Sequence, residues 1–464
     1  MGKPKLTSLD INIYALAQGT LTMAFTVQTL YLTLFMTDYL GISAALVGTS
    51  MLIAKTFDFI VSLVAGIIIE KSNFKHGKYI SWLRMLTATL FFGMLIQMFD
   101  TSGIIGNEVG KTIVVCLGYC MFHGSMNFNA TARGAMIPKM CGADMEARKT
   151  LTTRQAQVGA VVSILGSAII LPVITSTGEV LGESWGYFAA TVLFSTIFLI
   201  CNLIFVKRAA RFDPPGEQSR KKVPTVGEML KSIATNKQMI ILVVIFSLFT
   251  IGTQIYTGVT AYYFRVVTGQ FEMMTVALTA RSIVGFLASL CVPAIGRKFG
   301  KKGAMVIGMS LYGISALGTW MFGLNSMWFV IVFMCTAQSA QYIYMSMTAN
   351  YYLDCGECGY YVTGQDNRTF AVSIMNLPTK IGFAIGGSLV GYGLAWAGYE
   401  AGMAVTETFV SRYMMVLGLF PAIFMILAAI LSIVGYKLTD AEAKKYAEAN
   451  EAREKAAAEA AASK

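Results

Sequence analysis

The sequence predicts an all-α membrane protein of twelve transmembrane helices arranged as two six-helix halves. Three observations lead there. Hydrophobic residues make up 55% of the 464-residue chain and charged residues 13%, which is more apolar surface than a water-soluble domain of that length can enclose. The apolar residues fall in successive runs between Asn12 and Tyr436. A helix of about 20 residues, rising 1.5 Å per residue, crosses a hydrocarbon core about 30 Å thick. The basic residues collect in alternate loops, the pattern that marks the cytoplasmic side.

The spans follow in order. The first, 12–37, comes after Met1 to Asp10, which lacks the basic start, short apolar stretch and small-residue cleavage site of a signal peptide; it is expected to be retained. The second, 43–70, opens a basic loop with Lys71, Lys75 and Lys78, and the third, 80–99, leads to Asp100 and Glu108. The fourth, 111–138, returns to Arg148 and Lys149, and the fifth, 155–175, reaches Glu179 and Glu183. The sixth, 186–206, comes back to Lys207, Arg208, Arg211, Arg220, Lys221 and Lys222. Spans seven and eight, 238–264 and 272–296, end at Arg297, Lys298, Lys301 and Lys302. Spans nine to twelve are 303–322, 327–353, 370–398 and 408–436, with Glu400 and Glu407 between the last two. An even number of spans puts both termini in the cytoplasm. The net charge of +11 therefore reports topology and not a nucleic-acid partner.

The longest internal polar stretch, Lys207 to Lys237, carries Asp213-Pro214-Pro215-Gly216 and divides the chain. The expected organisation is an N-terminal half 1–206, a cytoplasmic loop 207–237, a C-terminal half 238–437 and a tail 438–464. The halves echo each other: Gly66 to Lys71 after the second span has a counterpart in Gly296 to Lys302 after the eighth. Two such halves rocking about a midplane site are the physical basis of alternating access. The tail from Asp440, rich in Ala, Glu and Lys, reads as a solvated helix or a disordered end. Of the eight cysteines only Cys355 and Cys358 are closely spaced. A single CxxC without ligand histidines points to two reduced thiols near a helix end and not to zinc.

Several segments carry a family resemblance. Thr37-Asp38-Tyr39-Leu40-Gly41-Ile42-Ser43 opens the series, Lys55-Thr56-Phe57-Asp58 follows, and then Gly66, Glu70, Lys71, Gly77, Lys78 and Trp82. Tyr262-Tyr263-Phe264 through Gly269, Asp354-Cys355-Gly356-Glu357, Lys380-Ile381-Gly382 and Tyr436-Lys437-Leu438-Thr439 complete it. In order and spacing the chain resembles the glycoside–pentoside–hexuronide:cation symporter family of the major facilitator superfamily. The resemblance implies a twelve-helix inner-membrane symporter that couples solute entry to Na⁺, Li⁺ or H⁺. It also implies gating loops at Gly66, Glu70, Lys71, Gly77 and Lys78. Four departures count against Na⁺ coupling and galactoside recognition. Ser62 stands where the family has a second acidic residue, Thr22 where it has a sugar-binding carboxylate, Ala130 at a fourth-helix acidic or Asn position, and Tyr342 at a substrate-side Trp.

Ionisable groups inside spans cost a few kcal/mol or more, so each needs a partner or a task. Asp58, with Lys55 three residues earlier on the same helical face, is either the coupling carboxylate or half of an internal ion pair. Asp58, Ser62 and Asn127 could offer a hard cation three oxygens, but with one full negative charge and Lys55 adjacent. Protonation of one carboxylate needs no cage, so H⁺ is favoured over Na⁺ at this site, and no other metal or cofactor is expected. Lys380 is read as the link between cation and substrate sites, with a structural role as its alternative. Thr22, Arg133, Arg281, Tyr342 and Lys380 are the candidate substrate-binding residues. Lys55, Arg133, Arg281 and Lys380 outnumber Asp58, and Arg grips carboxylates bidentately, so an anionic solute is expected. Tyr342, Tyr119 and Phe25 could stack on a ring, although span aromatics more often pack. His123 is read chiefly as a hydrogen-bonding residue, with proton relay as the lesser reading.

The function expected is secondary-active, cation-coupled symport of a glycoside, hexuronide or other organic carboxylate by a monomer in the lipid bilayer. A carrier of aromatic, steroid or lipid-like acids is the alternative, and a non-transporting receptor or scaffold is the alternative of another class. No Ser/His/Asp set, zinc spacing or phosphate-cradling Gly loop points to an enzyme.

Overall fold

The computed structural model describes residues 6–142, 144–214, 227, 234–364 and 374–462, and among them it is helical throughout, with no strand. The run Arg220-Lys221-Lys222 and most of the central loop lie outside the described residues. Among the described residues, eight helices are long and apolar enough to cross a membrane. Three more, Glu108–Cys141, Met327–Met345 and Leu377–Ala397, coincide with the fourth, tenth and eleventh expected spans. The stretch Met273–Phe322 holds two helices, the eighth and ninth spans, which part where Gly300 (φ 70°, ψ 173°) leaves helical geometry. The basic turn expected between them is thus a tight one that closes on Gly300. The protein is an all-α membrane protein with the twelve-span layout of the major facilitator fold.

Two compact units emerge. The first comprises Met1–Val223, Thr257–Ser282 and Gly387–Arg412, and the second Pro224–Tyr256, Ile283–Gly386 and Tyr413–Lys464. In the first unit the principal helices are α1 (Ser8–Leu34), α2 (Ala44–Lys71), α3 (Lys78–Gln97), α4 (Glu108–Cys141), α5 (Met145–Leu181) and α6 (Glu183–Ala209). Helix α1 starts with a capping box: the Thr7 hydroxyl accepts from the Asp10 amide while the Asp10 carboxylate accepts from Thr7. Asp10 also binds Arg208 at 3.1 Å and Arg211, so the end of α6 is tied to the start of α1.

The turn between α2 and α3 is built around Asp213, which follows α6 and is 1% exposed. Its carboxylate accepts from the amides of Tyr79 (2.7 Å) and Ile80 (3.0 Å), capping the N-terminus of α3, and from Lys139 Nζ at 2.7 Å. Gly77 makes this possible. Its φ is +94°, and a Cβ there would lie 2.2 Å from the Asp213 carbonyl oxygen. Glu70 closes the same turn, paired with Lys78 at 3.0 Å and accepting from the Tyr79 hydroxyl at 2.8 Å.

In the second unit the tenth expected span ends early. Helix Met327–Met345 stops, and a separate helix Thr348–Thr363 carries Asp354, Cys355, Glu357 and Cys358. Both cysteines are buried free thiols. Lys301, just past the Gly300 turn, pairs with Asp354 at 2.5 Å and Asp440 at 3.6 Å. The tail is a helix, Asp440–Ala462, and it is docked, not solvated all round: Asn450, 0% exposed, donates to Glu357 Oε2 at 2.7 Å, and the Tyr446 ring packs at a tilt of 37° against Tyr361 with centroids 4.9 Å apart.

Candidate functional site

Asp58 lies midway along α2 and is 2% exposed. Three residues spaced one turn apart on α4, Tyr119, His123 and Asn127, present a single stripe toward it. Asn127 Nδ2 donates to Asp58 Oδ1 at 2.6 Å and to the Asp58 main-chain carbonyl at 3.2 Å. Because both are acceptors, the amide must offer its nitrogen here and turn its oxygen away. His123 Nδ1 stands 4.0 Å from Asp58 Oδ2. Its Nε2 meets the Gln28 amide of α1, 2.9 Å from Nε2 and 3.2 Å from Oε1. Tyr119 lies flat on the imidazole, centroids 3.9 Å apart at 16°, and Phe25 approaches it edge-on at 5.8 Å. Tyr119 and Phe25, two of the three aromatic residues that could stack on a ring, are thus packed around His123. At 4.0 Å the imidazole and the carboxylate are within ion-pair range and beyond direct hydrogen-bond reach.

Of the other residues expected at the cation site, Ser62 follows Asp58 by one turn but spends its hydroxyl proton on the Phe59 carbonyl at 2.6 Å. Lys55 reaches sideways onto helix Leu377–Ala397, where Gly387 leaves room for it. A Cβ at 387 would fall 1.7 Å from Lys55 Nζ. One turn further along, Gly391 and Gly48 bring the two backbones together, a Cβ at 391 falling 2.3 Å from the Gly48 nitrogen.

The residues expected to bind substrate fall in both units. Thr22 is exposed on α1 and returns its hydroxyl to the Gln18 carbonyl at 3.1 Å. Arg281 is half-buried in the first unit, while Tyr342 and Lys380 are half-buried in the second. Arg133 is enclosed between α1, α3, α4 and α6, 3% exposed. Its guanidinium donates to Asn129 at 3.3 Å and Asn202 at 2.5 Å, and lies over the rings of Phe205 (5.0 Å) and Tyr14 (5.9 Å). Asn202 in turn donates to Thr87 at 2.7 Å. Arg133 therefore sits in the bundle's own packing, which helical periodicity could not show. In the expected gating turn, Glu70, Gly77 and Lys78 come together as described, Lys71 is exposed, and a Cβ added at Gly66 would lie 3.9 Å from the Thr131 methyl, an ordinary contact. His123 hydrogen-bonds a neighbour, Gln28, as its chief reading from the sequence expects. Gln28 itself is the residue that sequence reasoning did not single out.

The model of a family described as MFS/sugar transport protein matches residues 13–440. The chain belongs to that family. Among curated proteins it is similar to the glucuronide carrier protein homolog of Escherichia coli strain K12, 24% identical over 440 residues and covering 93% of each chain. It is likewise similar to the isoprimeverose transporter of Lactiplantibacillus pentosus, 25% identical over 84% of this chain and 81% of that one. Among solved structures, a D-xylose-proton symporter superposes with a TM-score of 0.66 at 13% identity, covering 93% of this chain and 98% of the other, which bears on the fold alone. The family and these relatives are transporters and not enzymes, and the protein is a multi-pass membrane transporter.

Proposed function

We propose that this member of the family is a proton-coupled symporter for a glycoside, a hexuronide or another organic carboxylate, with Asp58 as the proton-carrying group. The observation that carries the reading is the buried carboxylate at Asp58, held by the Asn127 amide nitrogen and facing His123. A sodium ion prefers several convergent oxygens. Here Asn127 turns a donor to Asp58 and Ser62 gives its proton to its own helix, an arrangement suited to a proton. Lys55, three residues away, adds positive charge where a second cation would otherwise bind. Glucuronide and isoprimeverose in the names of two relatives support a sugar-like solute. Arg281 and Lys380 are the candidate cations for an anionic one, while Arg133 is assigned to packing. Inner-membrane location with both termini in the cytoplasm follows from the charge pattern and is part of this proposal.

The test is uptake into vesicles holding purified protein, with labelled glucuronide or melibiose, driven by a pH gradient or a sodium gradient. Accumulation of the glucuronide under the pH gradient alone is expected. The Asp58→Asn variant should lose gradient-driven accumulation by at least about tenfold while still exchanging solute down its own gradient. Full pH-driven accumulation by Asp58→Asn would remove Asp58 from its role. Preference for the neutral sugar would refute the anionic substrate, and dependence on sodium would refute the proton.

A further inference from the structure

Two sequence motifs that the coupling site leaves unused meet in the first unit. Helix α1 ends in a π turn, Phe35–Tyr39, and the helix of the seventh span, Lys237–Tyr262, ends in another, Tyr263–Val267. The two turns match residue for residue. Leu40 N donates to Phe35 O at 3.1 Å and Thr268 N to Tyr263 O at 3.0 Å, and the next residue in each is a left-handed glycine, Gly41 (φ 66°) and Gly269 (φ 65°). A π turn inserts one residue and swings the side chains of the last turn off the face they would otherwise share, and such turns concentrate at functional positions. The side chains delivered have opposite charge: Asp38 from the first turn and Arg265 from the second.

They meet at 3.2 Å, Arg265 Nε to Asp38 Oδ2. Around that bond each group is held again. Arg265 Nη2 lies 3.4 Å from Glu183 of α6, and Nη1 donates to the hydroxyls of Tyr39 and, at 3.4 Å, Tyr187. The guanidinium lies over the Tyr39 and Phe271 rings, at 4.8 and 5.6 Å. Asp38 Oδ1 accepts from the hydroxyls of Tyr399 (2.6 Å) and Thr37 (2.8 Å), and Thr37 also meets the Tyr262 hydroxyl at 2.8 Å. Four stretches distant in sequence are thus fastened at one point, on the face that the acidic loops assign to the outside. Beside it opens a concavity of about 780 Å³ lined in part by Glu179, Glu183, Gln270 and Glu272. Water is therefore at hand to solvate the charges when they part.

We propose that Asp38 and Arg265 are the two halves of an external latch, closed in this structure, which must open for the transporter to face outward. Their duplicated π turns are the seats that hold the charges in register. This rests on the family's being transporters and on the charge-derived sidedness, and it is independent of which ion or solute is carried. A charge pair at a wet edge suits the task, since it is replaced by hydration when broken and can re-form in every cycle.

The experiment places a thiol at Leu34, fully buried one turn below Asp38, in a chain whose eight native cysteines are replaced by serine. Its rate of reaction with a membrane-impermeant maleimide added outside is then measured. Asp38→Asn and Arg265→Gln should each raise the rate at least fivefold, and the exchanged pair Asp38→Arg with Arg265→Asp should bring it back to within twofold of the parent. Tyr399→Phe, which removes one hydroxyl and keeps the fold, should raise it about twofold. Labelling that stays at the parent rate in Tyr399→Phe and in whichever single variants reach the membrane would overturn the latch, as would a swapped pair that labels as fast as the single changes.

Discussion

Removing the Asp213 carboxylate should loosen the whole basic end of the first unit. In Asp213→Ala two amides at the start of α3, those of Tyr79 and Ile80, lose their acceptor, and Lys139 loses the partner at 2.7 Å. Loss of a helix N-cap costs about 1 kcal/mol. Stripping the partner from a buried charge costs about 3–5 kcal/mol when the survivor cannot escape. Lys139 is 16% exposed and rests against the Tyr79 ring at 5.3 Å, so it can turn outward and roughly half of that applies. The sum is about 2–4 kcal/mol, or roughly 2–4 °C in apparent melting temperature for a chain of this size. Unfolding of detergent-solubilised protein, followed by tryptophan fluorescence at a fixed scan rate, gives the comparison. Gly77→Ala attacks the same contact from the other side, because its methyl would overlap the Asp213 main chain. The double variant should therefore melt no lower than the worse single one by more than about 1 kcal/mol. A melting point for Asp213→Ala within 1 °C of the parent, or full additivity with Gly77→Ala, would refute the capping role.

Two further outcomes follow from the same geometry. Gly387→Ala should leave the melting temperature unchanged or slightly raised, since alanine is better than glycine in a helix by up to about 1 kcal/mol. It should nevertheless impair gradient-driven uptake as much as Lys55→Ala does, because the flexible lysine end must vacate its notch; normal uptake by Gly387→Ala would show that the seat of Lys55 is immaterial. Arg133→Lys keeps the charge but loses the planar fork that serves Asn129 and Asn202. A loss of about 1–3 kcal/mol in stability with unchanged affinity for solute is expected, and an intact melting point with weakened solute binding would return Arg133 to the substrate site.

Much of the architecture was legible because a bilayer-spanning helix has to be apolar over a set length, and a run such as Ala44–Lys71 announces itself. The ends were harder to read. Nothing in hydropathy shows how tight the turn at Gly300 is, or that Met327–Met345 stops before Thr348. The π turns at Phe35–Tyr39 and Tyr263–Val267 are likewise invisible to an apolarity count. At the site, Asp58 and Asn127 could be picked out because an ionisable or amide group inside a span is costly wherever it points. The direction of Arg133 could not be. A helix in a bundle has one face toward its sister helices and another toward any solute path, and both are lined by similar residues. The hydrogen-bond partner of His123 could not be named for a related reason, since Gln28 is 95 positions away in sequence. The connection from Asp213 to Tyr79 and Lys139 joins three segments that only folding brings together.

The docked tail has a practical implication. Asp440 shares Lys301 with Asp354, and Asn450 is sealed against Glu357, so the tail helix from Asp440 to Asn450 is part of the carrier's framework. Shortening the chain to Thr439 for crystallisation would uncover Asn450's berth and leave Lys301 with one carboxylate where it had two. Expression designs that treat these residues as a disposable linker would be trimming a strut.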